Sequence, residues 1–95
     1  MNIKELKDKL SNGIFYYCTY GALIKVPVLE VIKNNDVSIT VRLEHDGFID
    51  IFDDNLVEVR RPANIIAKFE WCYMILDHVN EPMGYIGKPI LKLKG

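Results

Sequence analysis

The fold of this chain is decided by residues 37–52, which read VSITVRLEHDGFIDIF. From Val37 to Glu44 apolar side chains alternate with polar ones, and a second apolar run follows Gly47. Alternation with a period of two is typical of a strand that buries one face and leaves the other in water. An Asp-Gly pair between two such runs is the strongest short-range hairpin signal, because both turn residues must accept a positive φ. The stretch therefore predicts an antiparallel hairpin whose two-residue loop is Asp46-Gly47.

Strand-like patterns continue on both sides of this hairpin. Residues 14–20 and 23–33 are rich in β-branched and aromatic side chains, and residues 56–59 form a further short apolar run. Asn and Asp residues that favour turns separate these runs. Pro27 lies inside the second run and has no backbone N–H to donate, so we expect it at an edge, a bulge or a sharp bend of the sheet. The segments together predict five strands in residues 14–60.

The first segment, residues 1–13, has helical spacing instead. Ile3, Leu6 and Leu10 fall on one stripe, charged residues surround them, and Asn12-Gly13 is a helix stop signal. A helix of about ten residues is marginal alone in water, so its apolar stripe is expected to dock on the sheet.

The last third of the chain, residues 61–95, fits two patterns. Within residues 63–79 apolar side chains occur at both helical and strand spacing, so periodicity leaves the choice between helix and strand open. The β-branched and aromatic content, together with the turn-like residues 80–84, favours a C-terminal β-hairpin.

The order of these segments resembles the SH3-like small barrel, and the likeness is topological and covers residues 14–60. Residues 19–23 correspond to the first long loop of that fold, Asp46-Gly47 to its distal hairpin, and residues 53–56 to the tight turn before its final strand. The peptide-binding members carry an Ala-Leu-Tyr-Asp-Tyr run and a Trp pair, and this chain has neither. The resemblance therefore implies a fold without implying recognition of proline-rich ligands. The predicted fold is mostly β: one domain over residues 1–95, with a short N-terminal helix, an SH3-like small barrel and a C-terminal β-hairpin extension.

Composition limits the class of protein. The 95 residues are 49% apolar and 26% charged, and their net charge of −1 excludes a strongly basic nucleic-acid binder on bulk charge. No apolar run approaches the roughly 20 residues of a membrane-spanning helix, and no leader-like segment stands at the start, so we expect a cytoplasmic protein. Cys18 and Cys72 have neither zinc nor disulfide-scaffold spacing and are expected to be buried thiols.

Groups that could perform catalysis are scattered along the chain. Cys18 is the more plausible nucleophile of the two thiols, and His45 and His78 are the two histidines. No nucleophile elbow, phosphate-binding glycine loop or zinc spacing accompanies them. The acidic residues depart from a calcium loop, because Phe52 stands where an oxygen ligand is needed. The sequence therefore predicts no enzyme, no metal and no cofactor.

Two features predict a surface that binds a partner. The segment from Glu44 to Glu58 has six acidic residues and no Lys or Arg, and an electronegative segment can steer a basic partner. Aromatic side chains at outward strand positions are frequent anchors for partners. Solvated turns and cross-strand aromatic pairs are the structural alternatives for these two features. The predicted partner-binding residues are Tyr16, Tyr20, Phe48, Asp50, Phe52, Asp53 and Asp54.

These features favour a small non-catalytic binding protein that acts as a regulator or inhibitor through protein–protein contact. Its size and composition fit an accessory protein of a phage or mobile element. One alternative is an oligomer that sequesters a nucleotide-like ligand between tyrosines and the basic residues Arg60, Arg61 and Lys88. Another is a nucleic-acid-binding small barrel whose basic residues contact phosphate.

Overall fold

The structure, a computed structural model, describes residues 2–11, 13–21, 25–44, 47–59 and 69–90. The prediction of a mostly β chain with a short N-terminal helix is confirmed. A 3-10 turn, Asp53–Asn55, links the fourth strand to the fifth. The elements in chain order are α1 (Asn2–Lys9), β1 (Tyr16–Thr19), β2 (Lys25–Asn35), β3 (Ser38–Leu43), β4 (Gly47–Phe52), β5 (Leu56–Val59), β6 (Phe69–Leu76) and β7 (Pro82–Pro89).

The strands form one open, seven-stranded antiparallel sheet in the order β4-β3-β2-β1-β7-β6-β5. β4 and β5 are joined by the 3-10 turn, yet they lie at opposite ends of this order. The 3 residues of that turn advance the chain by only about 6 Å, so the sheet curls until its two ends come close to each other. No ladder joins β4 to β5 in the described residues, and the sheet is not closed.

The hairpin of β6 and β7 accounts for the difference from the predicted barrel. β7 pairs with β1 and β6 pairs with β5, so both strands lie between β1 and β5. A barrel built from residues 14–60 alone would need β5 beside β1, and the SH3-like barrel is therefore not confirmed. The C-terminal hairpin is confirmed, but it belongs to the main sheet and does not extend from it. Residues 63–68 lie outside the described residues.

The β3–β4 hairpin forms where the sequence predicts it, but its register differs from the predicted one. Gly47 pairs with Leu43 and so belongs to β4, whereas a two-residue Asp46-Gly47 loop would place Gly47 in the turn. Gly47 has a φ of +82°, and a glycine in the left-handed region is a common way for a three-residue loop to rejoin its strand. Asp46 lies outside the described residues. Pro27 pairs with Tyr16 of β1 and precedes a bulge in the β2–β3 ladder between Val28 and Glu30, so it lies next to a bulge and not in it.

The helix packs on the concave side of the curled sheet. Ile3 and Leu6 are fully buried and Leu10 is nearly so, which confirms the predicted docking of the helical stripe. α1 contacts β3, β5 and the 3-10 turn, so it lies against both halves of the sheet. The buried residues that share this core are Phe15, Tyr17, Ile39, Val41, Leu43, Ile51, Leu56, Tyr73, Ile75 and Ile86.

A second buried cluster lies on the other face of β1, β6 and β7. It consists of Cys18, Phe69, Cys72 and Tyr85. A bulge in β6 between Phe69 and Trp71 turns Phe69 to this face, while Trp71 packs against the core on the helix side. Neither cysteine is in a disulfide and both are buried, as predicted.

Candidate functional site

Strand β4 presents aromatic and acidic side chains outward. Its alternation buries Ile51 and leaves Phe48 61% and Phe52 49% exposed. Asp50 lies between them on the same exposed face, and Ile49 is half buried against the core. Phe48, Asp50 and Phe52, which are three of the predicted partner-binding residues, therefore share one exposed face. Two large apolar side chains on one exposed face form a surface that another molecule can cover.

The backbone of β4 is paired on one side. The N–H of Asp53 donates to the carbonyl oxygen of Val37 at 2.8 Å. Because the N–H and C=O groups of successive strand residues point to opposite sides, this bond shows that the odd-numbered residues of β4 bond to β3. The N–H and C=O groups of Phe48, Asp50 and Phe52 then point away from β3, where no described strand pairs with them.

A cleft of about 260 Å³ lies beside this free edge. We name it the β4 cleft. Two of its residues belong to β4, one belongs to the 3-10 turn, and the others come from the hairpin that joins β6 to β7. The lining residues are Asp50, Phe52, Asn55, Leu76, Asp77, His78 and Met83.

The hairpin side of the β4 cleft is held by hydrogen bonds to Asp77. Its Oδ1 accepts the backbone N–H of Glu81 at 3.0 Å and that of Val79 at 2.9 Å. These two bonds stabilise the carboxylate and lower the pKa of Asp77, and the neighbouring His78 acts in the same direction. The side-chain amide of Asn55 donates to the carbonyl oxygen of Asp77 at 2.9 Å. Hydrogen bonds therefore hold the tip of the hairpin together and also connect it to the 3-10 turn.

Phe52 also lines a second hollow, of about 140 Å³, together with Val37, Asp53 and Asp54. Val37 is 49% exposed, so this hollow combines an apolar part with an acidic part. Phe52 thus borders two neighbouring depressions. A partner that filled both would cover this ring from two directions, which is how binding anchors are usually enclosed.

The acidic residues around β4 differ in the groups they already contact. Asp50 accepts the hydroxyl of Thr40 at 2.6 Å through its Oδ1. Asp53 accepts the backbone N–H of Ile3 at 2.8 Å and so caps the N-terminus of α1. Asp54 is exposed. Asp53 therefore has a structural role, and Asp50 and Asp54 carry the exposed negative charge of this surface.

The two candidate tyrosines lie away from β4, because β2 and β3 separate β1 from it. Tyr16 is half buried against the second cluster. Tyr20 is 54% exposed and stacks on Tyr85 with ring centroids 6.0 Å apart. Phe15 and Tyr17 have the opposite parity and are buried in the core. The structure therefore does not bring the tyrosines together with the phenylalanines of β4.

Of the predicted basic ligand-binding residues, Lys88 lies in the described part of the chain. Its ammonium group is 3.5 Å from the carboxylate of Glu70, and both side chains are largely exposed. Arg60 and Arg61 lie outside the described residues. The basic site for a nucleotide-like ligand therefore stays a prediction.

Sequence reasoning missed the hairpin side of the β4 cleft. The turn-like residues 80–84 predict a turn in this region, and the structure has that turn at residues 77–81, between β6 and β7. Asn80 indeed has a positive φ of 63°. Local pattern could not show that this turn comes beside β4, because that depends on the strand order.

The candidate nucleophiles are buried thiols, with Cys18 0% and Cys72 1% exposed. Burial raises the pKa of Cys72 to about 12, and the nearby Cys18 adds to this shift, so the Cys72 thiol is protonated at neutral pH. His78 is exposed at the hairpin tip, and His45 lies outside the described residues. Within the described ranges, no group of three or more His, Cys, Asp or Glu side chains is arranged to hold a metal.

No protein-family model matches this chain, and no curated protein or solved structure shows a significant match to it. In the part of the chain that the structure describes, no helix is both long enough and apolar enough to cross a membrane. Function is therefore inferred from the geometry of β4 and the β4 cleft.

Proposed function

We propose that this protein is a non-catalytic binding module that holds a partner protein at β4, against the β4 cleft and the outward rings of Phe48 and Phe52. The main support is that one strand combines a backbone edge without a described partner and two strongly exposed phenylalanines. Proteins normally blunt such an edge with Lys, Pro or a covering element, because it pairs readily with other chains. β4 contains neither Lys nor Pro, and its one charged residue is Asp50.

The exposed rings supply part of the binding free energy. Complete burial of a Phe side chain contributes about 1.5–3 kcal/mol, so covering the exposed half of each ring would contribute about 2 kcal/mol in total. That amount makes Phe48 and Phe52 anchors, but a specific complex also needs hydrogen bonds and complementary charge.

Charge around β4 favours a basic partner. The chain has no Lys or Arg between Glu44 and Glu58, and Asp50 and Asp54 are exposed in the same region. Attraction of this kind raises the rate of association and weakens as salt is added. A small regulator or inhibitor that must find a basic surface would gain from it.

The test compares two side chains of nearly equal exposure. Phe48 is 61% and Ile14 is 62% exposed, and Ile14 lies outside β4. The partner is captured from the source cells and purified, and its affinity for each variant is measured by titration calorimetry. Phe48→Ser should weaken binding by about tenfold or more, while Ile14→Ser should leave it unchanged. Equal affinities of the two variants would show that the partner binds elsewhere.

Native mass spectrometry and salt titration address the two alternatives. A symmetric oligomer that carries a small co-purified mass would replace the proposal with ligand sequestration. Binding to nucleic acid would lose affinity steeply as salt is raised, with a slope set by the number of phosphate contacts.

A further inference from the structure

We infer that the partner is bound as an added β-strand: an extended segment pairs with the free edge of β4 and carries a Lys or Arg opposite Asp50. This inference rests on the proposed function and specifies how the partner binds and what chemistry it presents.

The backbone of β4 offers the groups that strand addition needs. Phe48 and Asp50 each direct an N–H and a C=O to this edge, as the bond from Asp53 to Val37 requires, and Phe52 directs its N–H there. The C=O of Phe52 belongs to the N-cap residue of the 3-10 turn and accepts the first hydrogen bond of that turn. A spacing of two residues between such groups matches the repeat at which antiparallel strands exchange hydrogen bonds. An extended peptide presents backbone C=O and N–H groups at the same spacing, whereas a helix uses its backbone N–H and C=O groups in its own internal hydrogen bonds.

The side chains of β4 specify the partner. In an added strand every second residue lies beside the outward face of β4. The residue opposite Asp50 meets a carboxylate whose Oδ1 accepts the hydroxyl of Thr40 and whose Oδ2 has no partner among the described residues. Opposite charges directly across a ladder are favourable, so a Lys or Arg fits this position. The residues two places before and after it lie beside Phe48 and Phe52, where β-branched side chains pack best.

Among the residues that the structure describes, no cation pairs with Asp50. Arg42 on β3 forms an ion pair with Glu30 at 3.2 Å. The lining of the β4 cleft adds the carboxylate of Asp77 and contains no Lys or Arg. A cationic side chain of the partner would therefore meet the carboxylates of Asp50 and Asp77, which pair with no Lys or Arg among the described residues.

A second copy of this chain is the less favourable occupant. If two β4 strands paired antiparallel about a twofold axis at their centre, Phe48 would face Phe52 and Asp50 would face Asp50. Like charges directly opposite each other destabilise a strand pair, and a charge on an edge strand protects it against self-pairing. Asp50 thus disfavours self-association and favours a basic partner.

A designed peptide tests the inference on the full chain. The probe is a capped, fluorescently labelled peptide of sequence Thr-Val-Thr-Lys-Thr-Val-Thr, and its binding is followed by anisotropy up to millimolar protein. Replacing its Lys by Glu should weaken binding about tenfold. Methylating the Val and Lys nitrogens, which removes the donors that face β4, should weaken it by about tenfold or more.

Charge reversal on the protein supplies the matched control. Asp50→Lys should reverse the preference, so that the Glu peptide binds more tightly than the Lys peptide. Asp8→Lys makes the same charge change on the exposed side of α1 and should keep the preference of the wild type. An unchanged preference in Asp50→Lys, equal binding of the methylated peptide, or no binding of the Lys peptide would each overturn the inference.

The inference and the proposed function fail in different ways. If Phe48→Ser weakens the captured partner but the methylated peptide binds as well as its parent, the surface is correct and strand addition is wrong. If Phe48→Ser leaves the partner's affinity intact, the proposed function itself is wrong. A dimer of the free protein that disappears in Phe48→Ser would place a second copy on β4 and would also overturn the inference.

Discussion

Replacing Leu6 by alanine tests whether α1 is part of the core of the curled sheet. Leu6 is fully buried between the two halves of the sheet, in the same cluster as Ile3 and Ile51. Leu→Ala at a buried site removes apolar contacts and leaves a cavity, which costs about 2–5 kcal/mol. A domain of 95 residues is typically stable by about 5–14 kcal/mol, so this one change should remove a large fraction of the free energy of unfolding.

The size of the effect can be read from urea and thermal unfolding. A loss of about 3 kcal/mol corresponds to a fall in Tm of about 12–24 °C for a domain of this size. Lys4→Ala, on the exposed side of the same helix, should change stability by less than about 0.5 kcal/mol. If Leu6→Ala cost less than about 1 kcal/mol, the helix would not be docked in the core and the closeness of the two sheet ends would need another explanation.

Three further changes test the groups around the site. Asp53→Ala should cost about 1 kcal/mol by removing the cap of α1, while the exposed Asp54→Ala should be nearly neutral in the same urea titration. Burial first, and then the carboxylates of Glu5 and Glu58, raise the pKa of Tyr73 from 10.0 to about 12. Because the fold favours the neutral phenol of Tyr73, the stability that this group contributes is complete below pH 10.0 and is lost as the pH rises towards 12. Tyr73→Phe has no phenol to ionise, so its urea midpoint should fall less steeply over this pH range than that of the wild type. The lowered pKa of Asp77 means that its contribution is present above pH 3.8 and is lost as the pH falls through its folded value. The NMR chemical shifts of the amides of Val79 and Glu81 should change as the pH falls below 3.8 and the Asp77 carboxylate is protonated. Chemical shifts that do not change with pH would show that this carboxylate does not hold the hairpin tip.

Elements whose pattern is local could be predicted from the sequence. The stripe of Ile3, Leu6 and Leu10 shows which side of α1 is buried, because helical spacing places these side chains on one face whatever the rest of the chain does. A period of two likewise places Phe48 and Phe52 on one face of β4 and Ile49 and Ile51 on the other, but which face is buried became clear only from the structure. The pattern thus identified which side chains of β4 share a face.

The strand order could not be predicted, because it depends on pairings between distant segments. The pattern of residues 69–76 is compatible with any neighbour, and only the fold shows that this strand lies between β5 and β7. The role of Asp53 was missed for the same reason, since it caps α1 through the N–H of Ile3, which lies 50 positions earlier in the chain. The position of Asp77 in the lining of the β4 cleft likewise depends on the strand order, so the sequence could not predict it.

Amide hydrogen exchange along β4 tests most directly whether its edge is free and receives a partner. In the unbound protein the amides of Phe48, Asp50 and Phe52 should exchange faster than those of Ile49 and Ile51, which bond to β3. Binding of the captured partner should slow the first group and leave the second unchanged. Equal protection of both groups before binding, or no added protection afterwards, would contradict the claim that β4 is the open edge on which this protein functions.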